Sequence, residues 1–157
     1  MLNLNYATLA GAYHHYAALN PAELFATLGW SDKAGSPGYT RNGAVLTSLA
    51  LLSASAPLSG PLKIEAGPLA GRTVQNGANR LAAWLAERHT KPEILSLAKG
   101  MADVAYQLFG RRGIVAFIQG SGPAGGSMAL LDGRNATAVC IAAEGLHPLE
   151  AHFWEVS

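Results

Sequence analysis

Cysteine and histidine, which often serve hydrolases as nucleophile and base, occur one and five times, respectively, in this 157-residue sequence. Cys140 is the single cysteine, and Ser127 directly follows a glycine-rich stretch. A thiol or hydroxyl attacks a carbonyl efficiently only when a neighbouring base removes its proton. Hydrolysis through a side-chain nucleophile is therefore the chemistry for which these residues must be considered. The candidate bases are the five histidines, His14, His15, His89, His147 and His152.

Neither His147 nor His152 has a cysteine or a clearly positioned serine beside it in the sequence. His147 and His152 flank the last predicted strand, where a surface or edge position is a stronger interpretation than a catalytic one. Ser127 would need a base that only the fold could bring near it. Cys140 lies in an apolar run, which favours a small side chain packed in the core.

Metal and phosphate sites are not expected either. His14 and His15 are neighbours in a predicted helix and point about 100° apart, which does not suit a shared metal ion. His89 lies near a predicted helix C-terminus, where the helix dipole explains it. The glycine-rich stretch 120–126 is followed by neither the helix nor the lysine of a phosphate site, so it is interpreted as a flexible hairpin lip. We predict no metal and no cofactor.

The elements that must position these residues are predicted to be mainly helices in the first part of the chain and mainly strands in the last part. Apolar residues at helical spacing predict helices over about 6–20, 21–28, 42–52 and 81–89, and a further helix that ends at 109–110. Pro92 is predicted to lie just inside the start of a helical stretch. Alternation predicts a brief strand at 62–65 and longer strands over 113–119, 127–131, 137–142 and 151–156. Helices followed by an antiparallel sheet predict an α+β fold, as one domain over residues 1–157 with one core.

Composition and charge exclude several classes of function. Half of the residues are apolar, but no window approaches the ~20 apolar residues of a membrane span, so we expect a soluble protein. A net charge of +1 without a run of lysines or arginines offers nothing to hold a nucleic-acid backbone. Residues 1–5 lack the basic and apolar segments of a signal peptide. Export would therefore need a machine that reads the folded protein.

Three short motifs are informative in their order and spacing. Residues 42–48 (NGAVLTS) begin a predicted helix, residues 126–133 (GSMALLDG) form a predicted strand, and residues 153–156 (FWEV) lie in the last one. They resemble the Asn-x-Cys helix start, the Gly-His-x-x-Leu-Trp-x-Gly strand and the Phe-Trp-x-aliphatic C-terminus of the fourth family of type VI secretion amidase effectors. The resemblance implies the papain-like, NlpC/P60-like fold of these bacterial toxins, with N-terminal helices packed on a C-terminal antiparallel sheet.

The sequence departs from the family pattern mainly at the catalytic positions. The resemblance implies cleavage of the D-glutamyl to diaminopimelate amide of peptidoglycan by a cysteine, a histidine and an acid. Gly43 or Ala44 stands at the position of the cysteine, Ser127 at that of the histidine, and Ala138 nearest that of the acid. Because nucleophile and base act as a unit, these replacements should abolish the reaction. The candidate residues of the remaining cleft are Asn42, Gly126 and Trp30.

Two hypotheses follow from the resemblance. The favoured one is a catalytically degenerate relative, or pseudoenzyme, that binds an immunity protein, a secretion-apparatus component or a peptidoglycan peptide. The alternative is a peptidoglycan D,L-endopeptidase toxin whose nucleophile has been mutated or relocated. Under either hypothesis, the resemblance implies synthesis in the bacterial cytoplasm and delivery to the periplasm of a target cell by type VI secretion.

Overall fold

A computed structural model describes residues 3–120 and 125–157 of the chain. The helices are α1 (Tyr6–Ala17), α2 (Pro21–Leu28), α3 (Gly43–Ser53), α4 (Ala78–Arg88), α5 (Met101–Leu108) and α6 (Ala136–Glu144), with a single 3₁₀ turn at Ser31–Lys33. The strands are β1 (Leu62–Lys63), β2 (Thr73–Val74), β3 (Glu93–Leu95), β4 (Arg112–Ile118), β5 (Ser127–Asp132) and β6 (Glu150–Glu155). Among these residues, no helix is both long and apolar enough to cross a membrane.

The main sheet is antiparallel, with the strand order β3-β6-β4-β5. Its two faces are covered by different helices. Ile114, Ala116, Met128, Leu130 and Trp154 belong to the hydrophobic cluster of α1 to α4. Val115, Phe117, Leu131, Ala151 and Phe153 belong to the cluster of α5 and α6. The single core expected from the sequence is therefore divided in two by the sheet.

Asparagine side chains begin the first three helices. Asn5, Asn20 and Asn42 each accept a hydrogen bond from a backbone N–H in the first turn of the helix that follows. Asn20 forms a reciprocal capping box with Glu23, and Pro21 at the first helical position has no N–H that would need a partner. These local signals are why the predicted starts of α2 and α3 are confirmed.

Two predicted elements are wrong. The predicted strand 137–142 is part of α6, because Ala136, Cys140 and Ala143 recur at helical spacing and pack against α5 and the sheet. The helical stretch predicted to begin at Pro92 is instead the edge strand β3, which pairs with β6. Proline is tolerated just before such a strand because an edge position needs no ladder hydrogen bond from its nitrogen.

A salt bridge holds the edge strand in place. The Arg111 guanidinium donates two hydrogen bonds of 3.0 Å to the Glu93 carboxylate and lies 4.5 Å from the centre of the Phe153 ring. The hydrogen bond from Arg111 lowers the pKa of Glu93. Because both side chains are partly exposed, this pair serves to position β3 more than to stabilise the fold.

His89 should make stability depend on pH. Burial lowers its pKa, and within residues 3–120 and 125–157 no group forms a hydrogen bond with its buried Nε2 atom. An ordinary histidine has a pKa near 6.5, so the unfolded chain binds a proton more readily than the folded one. This contribution to stability is complete above pH ~6.5 and is lost as the pH falls below that value.

The measurement is urea unfolding of the native chain between pH 5 and pH 8. His89→Leu should reduce the loss of stability on acidification, because leucine cannot take up a proton when the chain unfolds. An unchanged pH profile in the His89 variant would contradict the assignment.

Candidate functional site at the start of helix α3

Asn42 fixes the N-terminus of α3. Its Oδ1 accepts a hydrogen bond from the Val45 N–H at 2.9 Å, and its Nδ2 donates to the Asn76 carbonyl at 3.0 Å. The Asn76 side chain donates in turn to the Gly38 carbonyl at 3.0 Å. The start of the helix is thus tied both to the segment before it and to the residues that lead into α4.

Gly43 brings the helix start into contact with strand β5. A Cβ atom at this position would overlap the Met128 carbonyl oxygen and would come within 2.9 Å of the Met128 carbonyl carbon. Position 43 therefore has no room for a side chain. The fold brings the first turn of α3 beside Met128 and hence beside Ser127, which precedes it in the strand.

The predicted catalytic positions differ in their surroundings. Ala44 is buried, with 2% of its surface exposed, in the cluster of α1 to α4. Ser127 pairs with Phe117, so its side chain shares the face that α5 and α6 cover. Together with Val139 of α6 it lines a pocket of about 160 Å³. Ala138 is exposed on α6 and does not line this pocket.

Two amide side chains, those of Asn79 and Gln119, link the residues on either side of the segment 121–124. Asn79 Nδ2 donates to the Gln119 carbonyl at 2.6 Å, and Asn79 Oδ1 accepts from the Gln119 N–H at 3.2 Å. Beyond that segment, the Asn79 N–H donates to the Gly125 carbonyl at 2.9 Å, and the Gly126 N–H donates to Gln119 Oε1 at 3.0 Å. Residues 121–124 of the predicted hairpin lip, 120–126, lie outside the described residues.

Position 126, just before β5, requires glycine. Its φ of +87° favours glycine, and a Cβ there would come within 2.8 Å of the Phe117 carbonyl oxygen. Sequence reasoning identified Gly126 and Asn42 but missed Asn76, Asn79 and Gln119. Their only signal in the sequence was that each is an amide residue near the predicted boundary of an element.

Trp30 belongs to the core instead of a cleft wall. None of its surface is exposed, and its Nε1 donates a hydrogen bond of 2.8 Å to the Lys63 carbonyl. A ligand could not stack on a ring that is covered on every side. As a cleft residue, Trp30 is therefore a wrong prediction.

The two histidines near the last strand do not complete a catalytic pair. His152 stands opposite Ala116, and Ala116 stands opposite Met128, so these three residues share one face of the sheet. Ser127 faces the other way, because successive residues of a strand alternate. His147 is exposed in the turn after α6. Within the described ranges, no cluster of three histidine, cysteine or acidic side chains could hold a metal ion.

Cys140 is buried in the cluster of α5 and α6, as the sequence predicted, with 2% of its surface exposed. Burial raises the pKa of its thiol. A neutral, covered thiol is a poor nucleophile.

The reactivity of Cys140 should therefore be low in the native chain. We expect an aromatic disulfide reagent to modify it about 100-fold more slowly than in denaturing urea, because the reagent must wait for the protein to open. Ala138→Cys, exposed on the same helix, provides the matched control and should add one thiol that reacts rapidly. Rapid modification of native Cys140 would show that this thiol is accessible and would make it a candidate nucleophile.

Solved structures of similar fold come from effector–immunity systems. Over 99% of both chains, the structure is similar to that of the Tae4/Tai4 system from Salmonella typhimurium, with a TM-score of 0.70 and 17% identity. The Tae4–Tai4 complex from Enterobacter cloacae gives a TM-score of 0.68 at 14% identity, over 99% of this chain and 100% of the other. No family model and no curated protein matches the sequence. The predicted α+β fold, with N-terminal helices on a C-terminal antiparallel sheet, is confirmed.

Proposed function

We propose that this chain is a catalytically inactive relative of the type VI secretion amidase effectors and that it acts by holding a ligand or a protein partner. One observation carries the proposal. In a chain with the fold of Tae4, the start of α3 contains Gly43 and Ala44, which supply no thiol, and Ser127 of β5 supplies no imidazole and faces the layer of α5 and α6.

Amide hydrolysis by this route needs a nucleophile and a base in contact. Position 43 has no space for a nucleophilic side chain, and Ala44 offers only a methyl group. Cys140 lies in the layer of α5 and α6 and is covered. Loss of a complete nucleophile and base costs a hydrolase about 10⁶-fold in rate, so a residual peptidoglycan amidase activity would have no biological use.

Binding has fewer chemical requirements than amide hydrolysis. It needs a shaped contact region and a few polar groups held in place, and Asn42, Asn76, Asn79 and Gln119 form such a framework around the start of α3. Two of the similar Tae4 structures are of effector–immunity systems with Tai4. We propose a partner of this kind, with a secretion-apparatus component or a peptidoglycan peptide as the other candidates. Delivery to a target periplasm by type VI secretion is part of the proposal.

The decisive experiment incubates the purified chain with peptidoglycan muropeptides and measures new amine termini by mass spectrometry. We expect the native chain and the Ser127→Ala variant to be indistinguishable from buffer, while an amidase known to digest the same preparation serves as the positive control. Cleavage by the native chain at enzyme-like rates would overturn the proposal. Loss of that cleavage in Ser127→Ala would then support the alternative, a hydrolase with a relocated nucleophile.

A further inference from the structure

We propose a second binding site, for a small ligand that carries one carboxylate and an apolar body. It is a pocket of about 510 Å³ between α2 and the segment that leads into α3, a volume typical of small-molecule sites. Its walls include Phe25, Tyr39 and Arg41. None of Gly43, Ala44 and Ser127 lines it, so this proposal does not depend on the proposed function.

The apolar part of the pocket is built on a buried support. The Phe25 and Tyr39 rings both pack edge-on against Trp30, with ring centres 5.7 Å and 5.1 Å from it. Trp30 is itself held by the hydrogen bond from its Nε1 to the Lys63 carbonyl. Two aromatic walls anchored to a fully buried ring lose little conformational freedom when a ligand packs against them.

Arg41 supplies the charged part. Its Nε donates a hydrogen bond of 2.9 Å to the Leu19 carbonyl, and its Nη2 donates to the Ala17 carbonyl at the end of α1. These contacts hold the guanidinium in position and use two of its five N–H groups. Within residues 3–120 and 125–157, no group accepts a hydrogen bond from Nη1. A guanidinium held in this way is suited to a carboxylate.

The distribution of charge around the pocket favours an anion with a single charge. Of the described residues that line it, Arg41 is the one that is charged, and none is an aspartate or a glutamate. Lys33 adds a second cation nearby, with its Nζ 5.7 Å from the centre of the Tyr39 ring. The carbonyl groups at the end of α1 oppose a multiply charged anion such as a nucleotide. An N-acylated amino acid, or the last residue of a peptide, has the required combination of one carboxylate and an apolar side chain.

The test is a titration of the isotope-labelled chain with N-acetyl-phenylalanine and with its carboxamide, followed by amide chemical shifts. We expect the acid to shift resonances of residues 21–41 with a dissociation constant of about 1 mM. The carboxamide should bind at least ~10-fold more weakly, because it cannot form the charge-assisted pair with Arg41. Arg41→Gln should remove this difference between the two compounds.

Arg41→Gln also removes two hydrogen bonds to the end of α1. A second variant is therefore needed that tests the pocket without removing these bonds. Ala22→Trp, at an exposed position of α2, places a large ring in the pocket without removing a hydrogen bond, and it should abolish binding of the acid. Equal binding of acid and carboxamide would overturn the proposal. So would binding that persists in Ala22→Trp, or the absence of shifts at about 10 mM acid, ten times the expected dissociation constant.

Discussion

Replacing Gly43 with alanine is expected to destabilise the protein by about 3 kcal/mol or to prevent its folding. The added Cβ would overlap the Met128 carbonyl oxygen, and neither atom can rotate away, because each is bonded directly to the backbone of a packed element. Relief therefore requires α3 to separate from β5, which would open the cluster that contains Ala44 and Met128. Urea unfolding, followed by circular dichroism, measures the change.

The chain offers a matched control for this substitution. Gly11 lies inside α1, and a Cβ there would meet no other atom within 4 Å. Gly11→Ala should therefore stabilise the protein by about 0.5–1 kcal/mol, because alanine favours the helix. If Gly43→Ala were as harmless as Gly11→Ala, the close approach of α3 and β5 would be wrong. Position 43 could then hold a nucleophile in a relative of this chain.

Replacing Trp154 with alanine is expected to cost about 3–5 kcal/mol, a large part of the stability of a domain of this size. Trp154 is 1% exposed, and its Nε1 donates a hydrogen bond of 2.8 Å to the Thr90 carbonyl. The substitution would leave a cavity between β6 and the helices of the first cluster, and it would leave that carbonyl without its partner.

Two further variants separate these contributions. Trp154→Phe retains most of the apolar volume but removes the hydrogen bond, and it should cost about 1–3 kcal/mol. Tyr106→Ala, at a side chain that is 84% exposed on α5, should change stability by less than about 0.5 kcal/mol. An alanine variant at position 154 that is as stable as the Tyr106 variant would mean that Trp154 is not a core residue. All three are measured by urea unfolding at one pH.

Several elements could be predicted because their signals lie within a few residues. Asn20 and Pro21 specify the start of α2, and Gly29, with a φ of +74°, ends it. Strand β4 also has a local signal, because residues 113–118 are an uninterrupted apolar run, which is typical of a strand buried on both faces. Caps and short apolar runs act over single turns or single strands, so they can be read without knowledge of the rest of the fold.

The stretch that became α6 contains two patterns at once. Thr137, Val139 and Ile141 alternate and are β-branched, which is typical of a strand, while Ala136 and Cys140 recur at helical spacing. The helix forms because α5 and the sheet cover its buried side, and tertiary packing of this kind routinely overrides local preference. Likewise, β3 is a strand because β6, almost sixty residues later, pairs with it.

The sequence by itself determined which chemical groups the chain lacks at the motif positions, the caps of the first helices and the identity of the central strands. Only the tertiary structure decided that Gly43 touches Met128, that Ser127 and His152 face opposite sides of the sheet, and that Asn79 bonds to both Gln119 and Gly125. These contacts join residues that are tens of positions apart. Their geometry depends on how the helices and the sheet pack as layers, and no pattern within a single segment contains that information.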